Sequence, residues 1–202
     1  MTPSTVLWLW RHPEPETAAA GHCYGSLDWK LSPRGVLQAH AAAQALSGEP
    51  FSAIYSSPRR RCTEAAAIVA AGRDFPVQTM ESLRELDFGE FEGRSYDEIA
   101  ALYPALYHQW MEHPTEVRFP GGESFADMRA RVIAAAGDLR LRHAGETVIF
   151  VTHGGVIRIL LAEALGMAPA TIFRIAQSHG AINRIRYFGD VPSVELVNAE
   201  LR

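Results

Sequence analysis

Residues 6–13 read VLWLWRHP, a short apolar run that ends abruptly on a cation and an imidazole. Tryptophan and the β-branched valine favour a strand, and an unbroken apolar run is typical of a strand covered on both faces. Ligands bind at the carboxyl ends of strands in an open parallel sheet. Arg11 and His12 are therefore predicted to be a functional pair at the ligand-binding end of the strand. In this pair, a fixed positive charge lies beside a largely neutral group that can act as a nucleophile. The alternative is an interfacial pair at an exposed strand end.

A second stretch repeats this arrangement late in the chain. Residues 147–152, TVIFVT, form the cleanest candidate for a buried strand and end on His153, Gly154 and Gly155, with a helix predicted over 156–165. Two histidines at the ends of two parallel strands can meet in one pocket.

Strands and helices alternate along most of the chain. Further strands are predicted at residues 51–56 and 76–80, and the last two, 182–188 and 194–197, suggest a hairpin at a sheet edge. This alternation indicates an α/β fold, a three-layer α/β/α sandwich with a mostly parallel central sheet. The length predicts a single domain over residues 1–202. The last strands leave open a homodimer through the sheet edge.

Two helices carry the same Ser-Pro start signal. Ser32 and Pro33 predict the N-cap and first residue of a helix that runs to about residue 47. Ser57 and Pro58 repeat the signal before a helix that opens with three arginines, residues 59–61, and runs to about residue 71. A helix N-terminus already attracts anions, so three arginines there are unfavourable unless solvent or an anion lies opposite. Helical geometry allows one of them to face a cleft while the others face water.

The segment from about residue 88 to 120 breaks the alternation and is predicted to be a small helical cap insertion. Residues 95–98 form a capping box, and Pro104 must interrupt or kink the helix that follows. Its aromatic residues, Tyr103, Tyr107 and Trp110, are more typical of core packing than of ligand contact. Ser124 then predicts the N-cap of another helix that ends near residue 143.

Composition excludes several classes of function. The chain has 48% hydrophobic and 21% charged residues and a net charge of −4, which gives no global attraction to nucleic acid or to an anionic membrane. No window approaches the length of a membrane span, and the first residues, MTPSTVLWLW, do not resemble a signal peptide. Cys23 and Cys62 show no CxxC spacing, so a reduced, cytoplasmic setting is expected.

One carboxylate completes a candidate site. Residues 83–89, LRELDFG, place Glu85 between apolar residues, where a partly desolvated carboxyl group suits a general acid; the alternative is a loop glutamate paired with a neighbouring arginine. The collected set is Arg11, His12, Arg61, Glu85 and His153. This inventory suits phosphoryl transfer, because fixed donors must stabilise charge on three phosphoryl oxygens while an imidazole attacks in line.

The sequence resembles the histidine phosphatase superfamily, also called the phosphoglycerate mutase-like family, over nearly its whole length. The family's Arg-His-Gly motif appears as residues 11–13, Ser-Ser-Pro-x-x-Arg as 56–61, Leu-x-Glu-x-x-x-Gly as 83–89, Gly-Gly-Glu-Ser as 121–124 and Thr-His-Gly-Gly as 152–155. Four of these motifs in order are a strong signal, whereas any single one is weak.

The resemblance implies a role for each site residue. His12 would be the nucleophile that becomes phosphohistidine, and Glu85 the proton donor and acceptor. The groups that would bind the phosphoryl group or the substrate are Arg11, Arg61, His153, the Gly154 N–H and the Tyr24-Gly25-Ser26 turn. The resemblance implies no metal and no cofactor, and a small-molecule phosphomonoester as the partner.

The chain departs from the family pattern at two positions. Pro13 replaces the family's glycine, which removes an N–H and restricts His12 to an extended backbone. Ala18 lies where the family often has an asparagine that touches the phosphate. These departures suggest one alternative function, a catalytically silent phosphate-binding protein.

The resemblance favours a phosphatase over a mutase. Phosphoglycerate mutases carry additional basic residues in a longer insertion, whereas this chain has only Arg94 and Arg118 between residues 89 and 122. Residues 21–28, GHCYGSLD, resemble a segment of alpha-ribazole phosphatases, which act late in cobalamin assembly; in the alternative interpretation, this segment only packs the loop. A metal-dependent hydrolase with His12, His153 and Glu85 as ligands is a further alternative. The charges of Arg11 and Arg61 would repel its cation.

Overall fold

A six-stranded sheet forms the centre of the computed structural model, which describes residues 4–16 and 20–200. In the order in which they lie, the strands are β3 (Val77–Thr79), β2 (Phe51–Ser56), β4 (Thr147–Thr152), β1 (Thr5–Arg11), β5 (Ile182–Phe188) and β6 (Val191–Ala199). The first four are parallel, and β5 and β6 form an antiparallel hairpin at one edge. The predicted mostly parallel sheet with a terminal hairpin is confirmed, and a homodimer through this edge stays a prediction.

Two layers of helices cover the sheet because β1 is apolar on both faces. Leu7 and Leu9 pack in one core with α5 (Phe125–Arg142) and α6 (Gly154–Ala164). Trp8 and Trp10 point to the other face and pack with α1 (Pro33–Ala45) and α2 (Arg60–Ala70). The three-layer sandwich predicted from the sequence is therefore confirmed.

The two Ser-Pro signals have different outcomes. Ser32 is the N-cap of α1, and its hydroxyl accepts a hydrogen bond from the Gly35 N–H at 2.9 Å. The prediction that Ser57 starts α2 in the same way was wrong, because the helix begins at Arg60 and Arg59 is its N-cap. Ser57 is fully buried, and its hydroxyl lies 2.7 Å from His153 Nε2. The Ser57 hydroxyl therefore contacts His153 instead of capping α2.

The cap consists of α3 (Tyr96–Leu102) and α4 (Pro104–Glu112), separated at Tyr103 as Pro104 predicts. The Ser95 capping box is present. Trp110 is buried in the same core as α5 and α6, and Tyr103 and Tyr107 pack partly buried against it, so the predicted core packing is present. Trp110 also lines the cavity described below, so for this residue the preference for packing over ligand contact is not borne out. Within residues 4–16 and 20–200, no helix combines the length and the apolar character required to cross a bilayer.

Candidate active site

A cavity of about 260 Å³ opens where β1 and β4 end. Arg11 pairs with Thr152 in the parallel register, so His12 and His153 leave neighbouring strands at the same level. Their ring centroids are 5.2 Å apart, at an interplanar angle of 64°. The cavity is lined by all five residues of the set predicted to be catalytic: Arg11, His12, Arg61, Glu85 and His153.

His12 lines the cavity and is buried. Its Nδ1 lies 2.8 Å from the Pro13 carbonyl oxygen. Because a carbonyl oxygen only accepts, Nδ1 carries the proton and Nε2 keeps its lone pair. Burial, followed by the positive charge of Arg61, holds the pKa of His12 well below the ordinary 6.5. The imidazole is therefore neutral at pH 7, and Nε2 is available as a nucleophile.

Pro13 thus contributes its carbonyl group to the site although it has no N–H to donate. The second departure from the family pattern, Ala18, falls outside the described residues.

Arg11 is oriented by neutral acceptors. Its NH1 donates to the Gln177 carbonyl oxygen at 2.5 Å, and its NH2 donates to His179 Nε2 at 3.0 Å. Its Nε is buried and has no hydrogen-bond partner among the described residues. Nor does any described carboxylate form an ion pair with this guanidinium. Arg11 therefore keeps its charge and one donor for a ligand.

Arg61 repeats the same arrangement from α2. It is fully buried, NH1 donates to the Leu27 carbonyl oxygen at 2.6 Å, and NH2 donates to the Gly25 carbonyl oxygen at 2.8 Å. Its Nε is also buried without a partner in the described part of the chain. Of the three arginines at this helix start, Arg61 is the one that faces the cleft, as helical geometry allows.

His153 is fixed between a hydroxyl and a guanidinium. Its Nε2 lies 2.7 Å from Ser57 Oγ, and its Nδ1 lies 3.4 Å from Arg61 NH2. Because a guanidinium only donates, Nδ1 accepts and Nε2 donates to the serine hydroxyl. Burial and the nearby arginines, Arg61 first, hold the pKa of His153 well below 6.5, so this imidazole is also neutral at pH 7.

Glu85 faces the histidines from the loop after β3. Its Oε2 accepts a hydrogen bond from the Gly155 N–H at 3.0 Å, and its Oε1 accepts one from the Leu86 N–H at 3.0 Å. A Cβ at residue 155 would lie 2.3 Å from Oε1, so only glycine leaves room for the carboxylate. Gly154 is the first residue of α6, where helical N–H groups have no intrahelical acceptor.

In the turn of residues 24–26, which was predicted to lie near the substrate, one residue lines the cavity and two do not. Tyr24 lines the cavity, and the Arg61 guanidinium lies 5.1 Å from its ring centroid. Gly25 and Ser26 do not line it, because their N–H groups donate to the Glu92 carboxylate at distances of 2.8–3.0 Å. The Gly25 carbonyl oxygen accepts from Arg61 and so helps to orient that guanidinium, and a substrate contact of Gly25 or Ser26 stays a prediction.

Three contributors to the site were not found from the sequence. His179 lies beside His12, at a ring distance of 5.3 Å, and burial lowers its pKa to about 4. Arg158 lines the cavity one helical turn after Gly154, so helical spacing was the available signal. Glu92 and His179 act through contacts between distant segments, which sequence spacing does not reveal.

The rest of the cavity lining is largely aromatic and apolar. It includes Leu86, Phe88, Tyr96, Trp110, Phe125, Met128, Ile172 and Phe173. In the described ranges, no group of three or more His, Cys, Asp or Glu side chains is arranged to hold a metal ion. The guanidinium charges of Arg11 and Arg61 disfavour a cation beside His12.

Comparisons with known proteins agree with this geometry. A model of the histidine phosphatase superfamily (branch 1) matches residues 7–200. Phosphoserine phosphatase 1 of Hydrogenobacter thermophilus is 37% identical over 161 residues, which is 80% of this chain and 76% of that protein. Adenosylcobalamin/alpha-ribazole phosphatase of Salmonella typhimurium is 26% identical over 193 residues, 96% of each chain. The crystal structure of alpha-ribazole phosphatase from Shigella flexneri superposes with a TM-score of 0.88 at 25% identity and covers 96% of each chain.

Proposed function

The chain belongs to the histidine phosphatase superfamily (branch 1) and is a phosphatase, and we propose that it hydrolyses phosphomonoesters without a metal ion, through a phosphohistidine on His12. The observation that carries this proposal is how Arg11 and Arg61, the first partly buried and the second fully buried, are hydrogen-bonded. Arg11 and Arg61 each use neutral acceptors for orientation and each leave a buried Nε without a partner. Two guanidinium groups without an ion-pair partner among the described residues, one fully buried and one partly buried, lie beside a neutral imidazole. They favour an anion, and a dianionic phosphoryl group supplies the matching charge.

The first chemical step transfers the phosphoryl group to the protein. The lone pair of His12 Nε2 attacks phosphorus, the bond from phosphorus to the ester oxygen breaks, and the protonated Glu85 carboxyl group gives its proton to the leaving oxygen. The ring gains positive charge as the N–P bond forms. The Pro13 carbonyl oxygen, which accepts from Nδ1, stabilises that charge.

The second step returns the protein to its starting state. The Glu85 carboxylate takes a proton from water, the water oxygen attacks phosphorus, and the N–P bond breaks with its electron pair returning to Nε2. Arg11, Arg61 and the amino end of α6 are the groups that would hold the phosphoryl oxygens in both steps.

For the substrate, we propose alpha-ribazole 5′-phosphate in cobalamin biosynthesis, or a phosphomonoester with a similar aromatic body. Three observations support this choice: the aromatic residues that line the cavity, the segment of residues 21–28, and the similarity to the Salmonella phosphatase. Aromatic walls suit a flat leaving group because they bury its surface without demanding polar partners.

A carboxylated substrate such as phosphoserine is the second candidate, and Arg158 favours it. The Nε of Arg158 donates to the Ile175 carbonyl oxygen at 2.9 Å, and the guanidinium lines the cavity without an ion-pair partner among the described residues. Such a group can bind a carboxylate on the leaving group. The 37% identity to a phosphoserine phosphatase supports the same candidate.

Hydrolysis of p-nitrophenyl phosphate in EDTA tests the reaction. We expect metal-independent turnover by the wild type, trapping of phosphorus on His12, and loss of both in His12→Ala. The matched control is His40→Ala, at an exposed position of α1. Turnover by His12→Ala at the wild-type rate would refute the nucleophile, and dependence on added metal would revive the metal-dependent hydrolase.

The same preparation tests the substrate. Alpha-ribazole 5′-phosphate should give the highest kcat/KM, with phosphoserine and 3-phosphoglycerate as competitors. Preference for phosphoserine would select the second candidate, and conversion of 3-phosphoglycerate to its 2-isomer would indicate a mutase-type phosphoryl transferase. Binding of vanadate without turnover of any ester would indicate a non-catalytic phosphate-binding protein.

A further inference from the structure

Arg131, on α5, donates hydrogen bonds to three backbone carbonyl groups of the loop that carries Glu85. Its NH1 donates to the carbonyl oxygens of Ser82 and Arg84, each at 2.8 Å, and its NH2 donates to the carbonyl oxygen of Glu85 at 3.0 Å. A planar guanidinium can satisfy several acceptors in fixed directions at once, which an ammonium group cannot do. One side chain therefore fixes the backbone on which the proposed general acid is carried.

Glu123 fixes Arg131 in turn. Its two carboxylate oxygens accept from Arg131 Nε and NH2, both at 2.9 Å. The same oxygens accept from Arg84 at 2.6 and 2.9 Å and from the Asp87 N–H at 3.2 Å. The Arg131 side chain is only 18% exposed, so solvent screens these contacts weakly. The arrangement is a fixed support rather than a loose surface ion pair.

The Glu85 carboxylate itself has few restraints. Only the N–H groups of Leu86 and Gly155 donate to it among the described residues, and it forms no ion pair with any of them. Its position therefore depends on where the backbone of residue 85 lies.

We propose that Arg131 is a positioning residue that aims Glu85 at the ester oxygen of the substrate. This inference rests on the proposed function, in which Glu85 protonates the leaving group. Arg131 does not line the cavity and touches no reacting atom, so it acts only through Glu85.

The ratio of kcat/KM for two substrates with different leaving groups tests this role, because a general loss of structure would lower both values equally. Alkoxide leaving groups need the proton of Glu85, whereas p-nitrophenolate hardly needs it. We expect Arg131→Met to lower kcat/KM for ethyl phosphate about 100-fold, since a misplacement of about 1 Å costs about that much. The loss with p-nitrophenyl phosphate should be at least tenfold smaller.

Two variants control for effects on folding. Arg129→Met, on the same helix, removes an exposed ion pair with Glu163 and should leave kcat/KM unchanged for both substrates. Arg131→Lys keeps the charge but loses the planar guanidinium, and it should show the same selective fall in kcat/KM for ethyl phosphate. It replaces Arg131→Met in the test if that variant does not fold. Glu123 retains Arg84 and the Asp87 N–H in either variant, so the loop is expected to remain folded.

A double-mutant cycle with Glu85→Gln decides the proposal. If Arg131 acts through Glu85, Arg131→Met adds little to the loss that Glu85→Gln already causes. Additive losses, or equal losses on both substrates, would overturn the positioning role while leaving the proposed function intact. A Glu85→Gln variant without leaving-group selectivity would instead overturn the acid role of Glu85, and the positioning role would fail with it.

Discussion

The close approach of Gly155 to Glu85 makes Gly155→Ala a selective perturbation of the proposed general acid. A Cβ at this position would lie 2.3 Å from Glu85 Oε1 and 3.0 Å from Met128 Cε, whereas ordinary contacts begin at 3.4 Å. The carboxylate is therefore expected to move by about 1 Å, because it is the end of a flexible side chain and the cavity that it lines leaves room for the shift. A displacement of about 1 Å can cost about 100-fold in rate, so kcat/KM for ethyl phosphate is expected to fall by that factor.

The same substitution should cost little stability. The closest clash falls on the end of a flexible side chain, and alanine is a better helix former than glycine by up to about 1 kcal/mol. Loss of the hydrogen bond from the Gly155 N–H to Glu85 Oε2 costs about 1 kcal/mol. These contributions nearly cancel, so Tm should stay within about 4 °C of the wild type.

The assay compares ethyl phosphate with p-nitrophenyl phosphate and uses kcat/KM, which reports on the step in which the leaving group departs. The control is Gly137→Ala on α5, where a Cβ would meet no atom within 4 Å. A folded Gly155→Ala protein that hydrolyses ethyl phosphate at the wild-type rate would refute the assignment of Glu85 as the proton donor.

Three further predictions follow from the same contacts. Arg61→Met removes a buried charged donor and should weaken vanadate binding by about 10-fold to 150-fold, measured by inhibition; unchanged inhibition would place this group outside the phosphoryl site. His179→Phe removes the acceptor for Arg11 NH2 and should weaken vanadate binding about tenfold, whereas His179→Asn, which retains an acceptor, should recover part of that loss. Burial lowers the pKa values of His12, His153 and His179, so between the folded values and about 6.5 the unfolded chain binds more protons. The free energy of unfolding in urea should therefore fall on acidification from pH 7 to 5, by up to about 1.4 kcal/mol per pH unit for each group; a rise would contradict the neutral imidazoles.

The sequence was most informative where short-range rules operate. The strand β1 was predicted because an apolar run on both faces has few alternatives, and the N-caps Ser32 and Ser124 were predicted because capping depends on neighbouring residues. The ends of β1 and β4 then predicted that His12 and His153 would meet. These steps needed only local pattern and the parallel register.

Prediction was less complete where distant segments compete for the same group. Ser57 has the same local signal as Ser32, but the buried imidazole of His153 lies within hydrogen-bond distance of its hydroxyl, and α2 starts later. The turn of residues 24–26 was expected to lie near the substrate, but the N–H groups of Gly25 and Ser26 donate to the Glu92 carboxylate. His179 was missed because its position depends on the loop before β5 rather than on a strand end.

Arg11 and Arg61 are oriented by uncharged acceptors, and this explains why distant segments affect anion binding. A carboxylate would orient Arg11 or Arg61 equally well, but it would also cancel the charge that the phosphoryl group needs. Carbonyl oxygens from the loops at Leu27 and Gln177, and a neutral imidazole at His179, hold the same guanidinium groups without cancelling it. The loops therefore set the strength of the anion site although they supply no charge to it. Changes that move these loops should weaken anion binding even when every residue that touches the phosphoryl group is retained.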